Sequence, residues 1–265
     1  MTDDRGVWVY AIAREVAGGW LGGIAGLDGQ PVRAVRAAGL AAALTTVRLA
    51  EFGEAALRRH LDDRSWLERA AQAHHLVIET LAAHGPAVPM RLATVYTGDA
   101  GVAALLTARG ADFSAALDRV DGRSEWAVKV YPVARREPAE AGAAARAAGR
   151  PTAGAGAAYL SRRRQQLSAA EQSRQAAVAS AEHIHATLAR LAVAAQLRSP
   201  QAPQLSGRPD QMIMNGAYLV DGRRAEAFAA AAADLAAGSA GVRVELTGPW
   251  PPYSFATVPE VEVAR

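Results

Sequence analysis

Two histidine pairs are the residues whose type and spacing first suggest metal chemistry. His74 and His75 are adjacent, and His183 and His185 lie two residues apart, in segments whose other residues favour helices. Neighbouring side chains on a helix point about 100° apart, and side chains two apart face away from each other, so neither pair offers two ligands on one face. The chain also has no cysteine and no H-E-x-x-H motif. We therefore predict no metal site.

Motifs for catalysis and nucleotide binding are also missing from the sequence. It has no G-x-S-x-G elbow, no G-x-x-x-x-G-K-S/T loop, and no G-x-G spacing among its early glycines. The scattered histidines and arginines are compatible with a general acid and an anion-binding group in a cleft, as in an enzyme. The prediction is no catalytic residue and no cofactor, with an enzyme on a ferredoxin-like scaffold as the alternative.

Arg162, Arg163 and Arg164 form the densest cluster of positive charge. Residues 134–198 hold ten arginines against four glutamates, a net charge of +6. Such a footprint suits phosphates, which leaves an arginine-rich nucleic-acid-binding protein as a further alternative. No aromatic residues interleave with the cluster for base stacking, so a solvated helix face is favoured and no nucleic acid is predicted as a partner.

Composition narrows the class of protein. A chain of 265 residues suits two domains, and its net charge is only +3. Hydrophobic residues make up 51% but aromatic residues only 6%, which favours closely packed alanine-rich helices. The sequence opens on acidic residues without an export signal, and its apolar runs are shorter than the roughly 18 residues of a membrane span. We expect a cytoplasmic protein that does not cross a membrane.

The first half of the chain alternates strand and helix patterns. We predict strands at residues 7–13, 31–37, 40–49, 88–96 and 125–131, and helices at residues 62–84 and 99–120, the second divided at Gly110. The order βββαβαβ favours an α+β domain over residues 1–132, a modified ferredoxin-like sheet with its helices on one face.

The second half, residues 133–265, is predicted to be a small α+β domain with a long helical segment. That segment covers about residues 134–198, and its second helix, at residues 157–197, has partly heptad spacing that suggests a coiled coil. Strands at residues 211–220 and 242–246 then flank a helix at 223–237, a βαβ-like unit. Asn215-Gly216 suits a hairpin turn, but a continuous strand is preferred there.

Residues 16–27 are apolar and rich in glycine, and they look exposed. Trp20, Leu21 and Ile24 are the apolar residues that we take as candidates for contact with a partner protein. The glycines favour a loop.

Residues 248–255 hold three prolines and three aromatic residues directly after the last predicted strand. Proline fixes φ and lacks a backbone donor, so this segment cannot extend a central ladder and forms a rigid arm. Docking of such an arm loses little entropy, either onto the chain itself or onto a partner. The favoured interpretation is a brace for the sheet of the second domain.

Several blocks, in this order and spacing, resemble the gas vesicle L/F family over almost the whole chain. They are Val7–Ala13, Val88–Tyr96, Gly122–Val130 with Glu125-Trp126, Tyr159–Arg163, Ala217–Val220 and Gly248–Phe255. One departure is visible: where the family pattern reads Pro-Leu-Arg-Phe-Gly-Thr, this chain has Pro89-Met90-Arg91-Leu92-Ala93-Thr94. The swaps are between apolar or small residues.

The residues that carry the resemblance are expected to have structural roles. They are Pro89, Arg91, Thr94, Glu125, Trp126, Lys129, Tyr159, Arg163, Tyr218, Gly248, Pro249, Trp250, Pro252, Tyr253 and Phe255. Arg91 and Glu125 are predicted to pair across the sheet, with Lys129 on the same face as Glu125.

The resemblance implies a non-enzymatic accessory or minor structural protein of gas vesicles, the hollow protein-walled organelles that give cells buoyancy. It implies binding to the small hydrophobic shell protein, and to other gas vesicle accessory proteins, during nucleation or growth of the wall. We expect the sheet edge of the first domain and the Trp20 loop to make the shell contact, because an aggregation-prone subunit is best capped by strand edges or apolar faces.

Overall fold

A computed structural model describes residues 5–14, 21, 23–133, 155–199, 212–256 and 258. Their contacts divide the chain into two compact units, the first formed by residues up to 125 together with those from 248 onward, the second by residues 126–247. This division differs from the predicted one. The boundary lies before Trp126 instead of after Pro132, and the C-terminal arm belongs to the first unit.

The first unit is built on an antiparallel sheet. Its strands are β1 (Arg5–Ala13), β2 (Arg33–Ala37), β3 (Leu40–Arg48), β4 (Ala87–Pro89) and β5 (Val95–Tyr96). The order is β2-β3-β1-β4, and β5 also pairs with β1. The sequence predicted the first three strands, because each combines apolar or β-branched residues with a turn at its end.

Within the described residues, five α-helices accompany this sheet. They are α1 (Leu49–Phe52), α2 (Glu54–Leu61), α3 (Arg64–Ala82), α4 (Asp99–Ala108) and α5 (Gly110–Val120). Asp63 caps α3 by accepting from the backbone N–H groups of Ser65 and Trp66. The apolar stripe of α3 and the division at Gly110 are as predicted.

Helices cover both faces of the first sheet, whereas the sequence predicted only one. Trp8, Tyr10, Ala11 and Ala13 of β1 belong to the core on the α3 side, and Val7, Val9 and Ile12 to the core on the α4–α5 side. Side chains alternate along a strand, and the register shift between Val9 and Ala11 changes the phase of that alternation. A strand buried on both faces explains the unbroken apolar run from residue 7 to 13.

The strand predicted at residues 88–96 is interrupted. A turn at residues 90–94 separates β4 from β5, and the Thr94 backbone N–H and Oγ1 both donate to the Arg91 carbonyl, at 3.2 and 2.7 Å. Ala93 has φ 65°, in the left-handed region. This turn lies opposite the β1 bulge, where Tyr10 O accepts from Met90 N and Thr94 O from Val9 N.

The described part of the second unit contains a four-stranded sheet and two long helices. Its elements are β6 (Arg123–Pro132), α6 (Ala155–Leu191), β7 (Ala194–Leu197), β8 (Met214–Asp221), α7 (Ala225–Gly238) and β9 (Val242–Trp250). The strand order is β7-β8-β6-β9. The βαβ unit is therefore β8-α7-β9 with β6 between its two strands, and β8 is continuous through Asn215-Gly216, as preferred from the sequence.

The long helix α6 differs from its predicted extent and from a uniform coiled-coil helix. It ends at Leu191, because residues 194–197 form β7 on β8. Its last four turns bury Ala177, Ala181, Ile184 and Leu188, a helical stripe that packs into the core of the second unit. Tyr159, Leu160 and Leu167, nearer its start, are exposed. Within the residues that the structure describes, no helix has the length and apolar character needed to span a membrane.

Candidate interaction surface

The C-terminal arm, residues 248–255, is grouped by its contacts with the first unit, and not with the second as predicted, although its residues 248–250 are the end of β9. Gly248 has φ 132°, a conformation that favours glycine, and the Gly248–Pro249 peptide bond is cis. Pro249 lies near the end of β9, an edge strand, which is where a sheet tolerates proline. Beyond Trp250 the arm closes in a tight turn, with Ala256 N donating to Pro252 O at 3.0 Å.

A buried carboxylate anchors the arm. Glu125 is 6% exposed, and its Oε2 accepts from the Ser254 backbone N–H at 2.7 Å while its Oε1 accepts from the Ser254 hydroxyl. Arg119 Nη1 donates to the Phe255 carbonyl at 3.2 Å. Phe255 and Ala256 are buried, and Ala256 packs in the core on the α4–α5 side. Charge-assisted bonds and apolar burial together hold the arm in place.

The aromatic side chains of the arm contact α3 through His75. The His75 ring lies 5.6 Å from the Trp250 ring and 5.9 Å from the Tyr253 ring, between centroids. His75 Nδ1 and the Tyr253 hydroxyl are 2.8 Å apart. Trp250 and Tyr253 nevertheless remain 41% and 37% exposed. The arm thus turns two large rings toward solvent.

Leu76 and Glu79 of α3 extend this surface. Leu76 is 52% exposed, and Glu79 lies one helical turn after His75 on the same face. Burial raises the pKa of the Tyr253 hydroxyl, and the nearby carboxylates of Glu79 and Glu125 raise that pKa further. We call His75, Leu76, Glu79, Trp250 and Tyr253 the aromatic patch.

His74, adjacent to His75, points into the core. Its Nδ1 accepts from Trp8 Nε1 at 3.0 Å, so the proton lies on Nε2, which donates to the Met90 carbonyl at 3.0 Å. Burial lowers its pKa. The histidine pair is therefore divided between the core and the surface. Among the described residues no group of three or more His, Cys, Asp or Glu side chains is placed to hold a metal ion.

The candidate partner residues near Trp20 do not form an exposed surface in the described chain. Leu21 is 1% exposed and belongs to the core on the α3 side, so it is not available to a partner as predicted. Ile24 is partly buried against the same core. Trp20 lies outside the described residues. Leu21 is buried because the loop returns to the sheet, with Val32 N donating to the Ile24 carbonyl.

The residues of the family resemblance divide into buried and exposed groups. Trp126 packs on Phe228 at 5.9 Å between centroids, and Tyr218, fully buried, has its hydroxyl 2.9 Å from His185 Nδ1. The more accessible members are Arg91, Tyr159, Arg163, Trp250 and Tyr253, while Pro89, Thr94 and Lys129 are half-buried. Arg91 lies in the turn after β4 and not on a strand, and its pairing with Glu125 stays a prediction.

Sequence reasoning missed the α3 side of the patch. The signal was present: Leu76 is a large apolar residue outside the apolar stripe of an amphipathic helix, directly beside His75. A single apolar side chain on the solvent face of a helix is common, however, so Leu76 alone did not locate the patch.

Comparison with known proteins identifies the family. The model of the family described as gas vesicle synthesis protein GvpL/GvpF matches residues 6–257. Gas vesicle protein L of Streptomyces sp. (strain CB03234) is 41% identical over 269 residues, covering 99% of this chain and 97% of that protein. A 49-residue stretch is 41% identical to gas vesicle protein F1 of Halobacterium salinarum, covering 18% of this chain and 23% of that protein.

Solved structures share the fold. The crystal structure of GvpF from Anabaena sp. PCC7120 superposes with a TM-score of 0.67 at 18% identity, covering 98% of this chain and all of the other. GvpF from Microcystis aeruginosa gives 0.63 at 17% identity, covering 95% of this chain and 99% of the other. The fold thus defines the class as mixed helix and sheet with antiparallel sheets. The chain belongs to the GvpL/GvpF family of gas vesicle synthesis proteins and has a role in gas vesicle formation.

Proposed function

We propose that this protein is a non-enzymatic assembly factor that binds the small hydrophobic shell protein and supports nucleation or growth of the gas vesicle wall. The observation that carries the proposal is the exposure of Trp250 and Tyr253 in an arm that is otherwise anchored and buried. An arm needed only for packing would bury these rings, as it buries Phe255. Two exposed rings instead offer apolar area to a hydrophobic partner.

Pre-organisation supports the same proposal. Glu125 and Arg119 hold the backbone of the arm, and His75 contacts both exposed rings. Rings that are already fixed lose little side-chain entropy when a partner covers them. The aromatic patch therefore replaces the Trp20 loop as the proposed shell-binding surface, and contact through Trp20 itself stays a prediction. Coiled-coil pairing along the exposed start of α6 likewise stays a prediction.

The proposal is tested by capture of purified shell protein on the immobilised full-length chain. Trp250→Ala removes the most exposed ring of the patch and is expected to reduce capture by about tenfold, the size of a modest interface anchor. Tyr159→Ala is the matched control, since Tyr159 is an exposed aromatic residue on α6, and capture is expected to stay within about twofold. Absence of capture by the folded wild-type chain would overturn the proposed function.

A further inference from the structure

The charge of the aromatic patch is as informative as its rings. Three exposed glutamates on other helical faces have arginine partners three or four residues away: Glu54 with Arg58, Glu68 with Arg64, and Glu171 with Arg174. Glu79 forms no ion pair within the described part of the chain. Its helical neighbours explain this, because residues 76, 82 and 83 are apolar and residue 75 is the histidine.

The His75 ring is already in contact with the arm. Its Nδ1 lies within hydrogen-bonding distance of the Tyr253 hydroxyl, and its ring also contacts Trp250. Glu79 and Glu125 both act on Tyr253 as negative charges. The patch thus combines two exposed aromatic side chains with a carboxylate that has no ion-pair partner among the described residues.

These groups match one kind of side chain. A guanidinium group binds to the face of Trp or Tyr through cation–π attraction and pairs with a carboxylate through its N–H donors. Its aliphatic stem packs on apolar surface, which Leu76 provides here. We propose that the aromatic patch binds an arginine side chain of a partner protein, with the guanidinium over Trp250 and Tyr253 and paired with Glu79.

This inference rests on the proposed function for the existence of a protein partner, and it specifies the chemistry of contact. The segment of the shell protein that contacts the patch is then an apolar one that presents an arginine at its centre. An apolar segment without a cation would gain from the rings alone and would leave Glu79 desolvated without compensation. The carboxylate thereby selects among apolar partners.

A small probe tests the site without any partner protein. The full-length chain, labelled with ¹⁵N, is titrated with arginine amide and, separately, with citrulline amide, a neutral analogue of similar shape. The Trp250 indole N–H resonance is assigned by its loss in Trp250→Phe. Arginine amide is expected to shift this resonance in a saturable manner, and citrulline amide is expected to bind at least about fivefold more weakly.

Two variants test whether the Glu79 carboxylate pairs with the bound guanidinium. Glu79→Gln keeps the size of the side chain and is expected to weaken arginine amide binding by about two- to fivefold, the size of an exposed ion pair. Glu68→Gln on the same helix is the control and is expected to leave binding unchanged. Equal responses to the two amides, or unchanged binding in Glu79→Gln, would overturn the inference.

The outcomes separate this inference from the proposed function. Binding of arginine amide without capture of shell protein would overturn the proposed function and leave the arginine site standing. Capture of shell protein by a chain whose Trp250 resonance does not respond to arginine amide would overturn the arginine site alone.

Discussion

At the scale of single residues, His74 shows how a titratable group serves the core. Its two ring nitrogens are both used, one accepting from Trp8 and the other donating to Met90. A second proton would have to displace the Trp8 hydrogen bond inside a buried site. Trp8 and Met90 belong to β1 and to the turn after β4, so the neutral imidazole joins α3 to the strands that it covers.

His74 is expected to make the stability of the first unit depend on pH. Because burial lowers its folded-state pKa below the usual 6.5, the unfolded chain binds more protons below that pH. The contribution of neutral His74 to stability is therefore complete above about pH 6.5. It is lost as the pH falls toward the lower folded pKa, by up to about 1.4 kcal/mol per pH unit. Denaturant unfolding between pH 5 and pH 7 measures this slope.

His74→Gln is the informative variant, since glutamine keeps one acceptor and one donor but does not titrate. The pH slope of its unfolding free energy is expected to be smaller than that of the wild type. Identical slopes in the wild type and His74→Gln would contradict the assignment.

Glu125 controls attachment of the arm. Glu125→Ala is expected to destabilise the first unit by about 2–3 kcal/mol, because it leaves the Ser254 backbone N–H and hydroxyl without their acceptor. Ser254→Ala removes only the hydroxyl bond and is expected to cost about 1 kcal/mol. Urea unfolding of both variants measures the difference. Equal losses would show that the backbone N–H contributes nothing to attachment.

At the scale of elements, sequence patterns predicted what local chemistry determines. The apolar stripe and Asp63 cap of α3, the division at Gly110 and the continuous β8 are all set within a few residues. The break between β4 and β5 is not local, since the β1 bulge across the sheet fixes it. Similarly, the end of α6 at Leu191 depends on β8 offering an edge to β7, which alanine-rich periodicity does not encode.

The turn between β4 and β5 contains a residue that departs from the family pattern. Ala93 stands where that pattern has glycine, and its φ of 65° carries a left-handed penalty of about 1–2 kcal/mol for a residue with a Cβ. Ala93→Gly removes that penalty but adds about 0.5–1 kcal/mol of unfolded-chain entropy, so a net gain of about 0.5 kcal/mol is expected.

The same substitution at an ordinary helical position supplies the comparison. Ala71→Gly, exposed on α3, is expected to destabilise by about 1 kcal/mol. Opposite signs of the two changes in unfolding free energy would support the left-handed turn. A loss at Ala93→Gly as large as that at Ala71→Gly would argue against it.

At the scale of the whole molecule, the arm shows which of its properties the sequence predicts and which depend on tertiary structure. Its prolines and aromatic residues indicated a rigid docking segment, and that prediction of character needed no tertiary information. The surface onto which the arm folds is determined by Glu125, Arg119 and His75. These residues are far from the arm in sequence and form no recognisable motif. The candidate site was missed for the same reason, because half of it lies on a helix that the arm reaches only after folding.

The division into two units yields a final prediction about where the arm contributes stability. Phe255→Ala is expected to destabilise the first unit by about 3 kcal/mol, since it empties a buried aromatic position. Hydrogen exchange is expected to accelerate in α3 and α5 and to remain unchanged in α7. Phe228→Ala is the reciprocal variant, because Phe228 packs on Trp126 and Tyr218 in the second unit, and it is expected to accelerate exchange in α7 and β8 instead. Faster exchange of α7 in Phe255→Ala, with α5 unaffected, would show instead that the arm stabilises the second unit, as the sequence predicted.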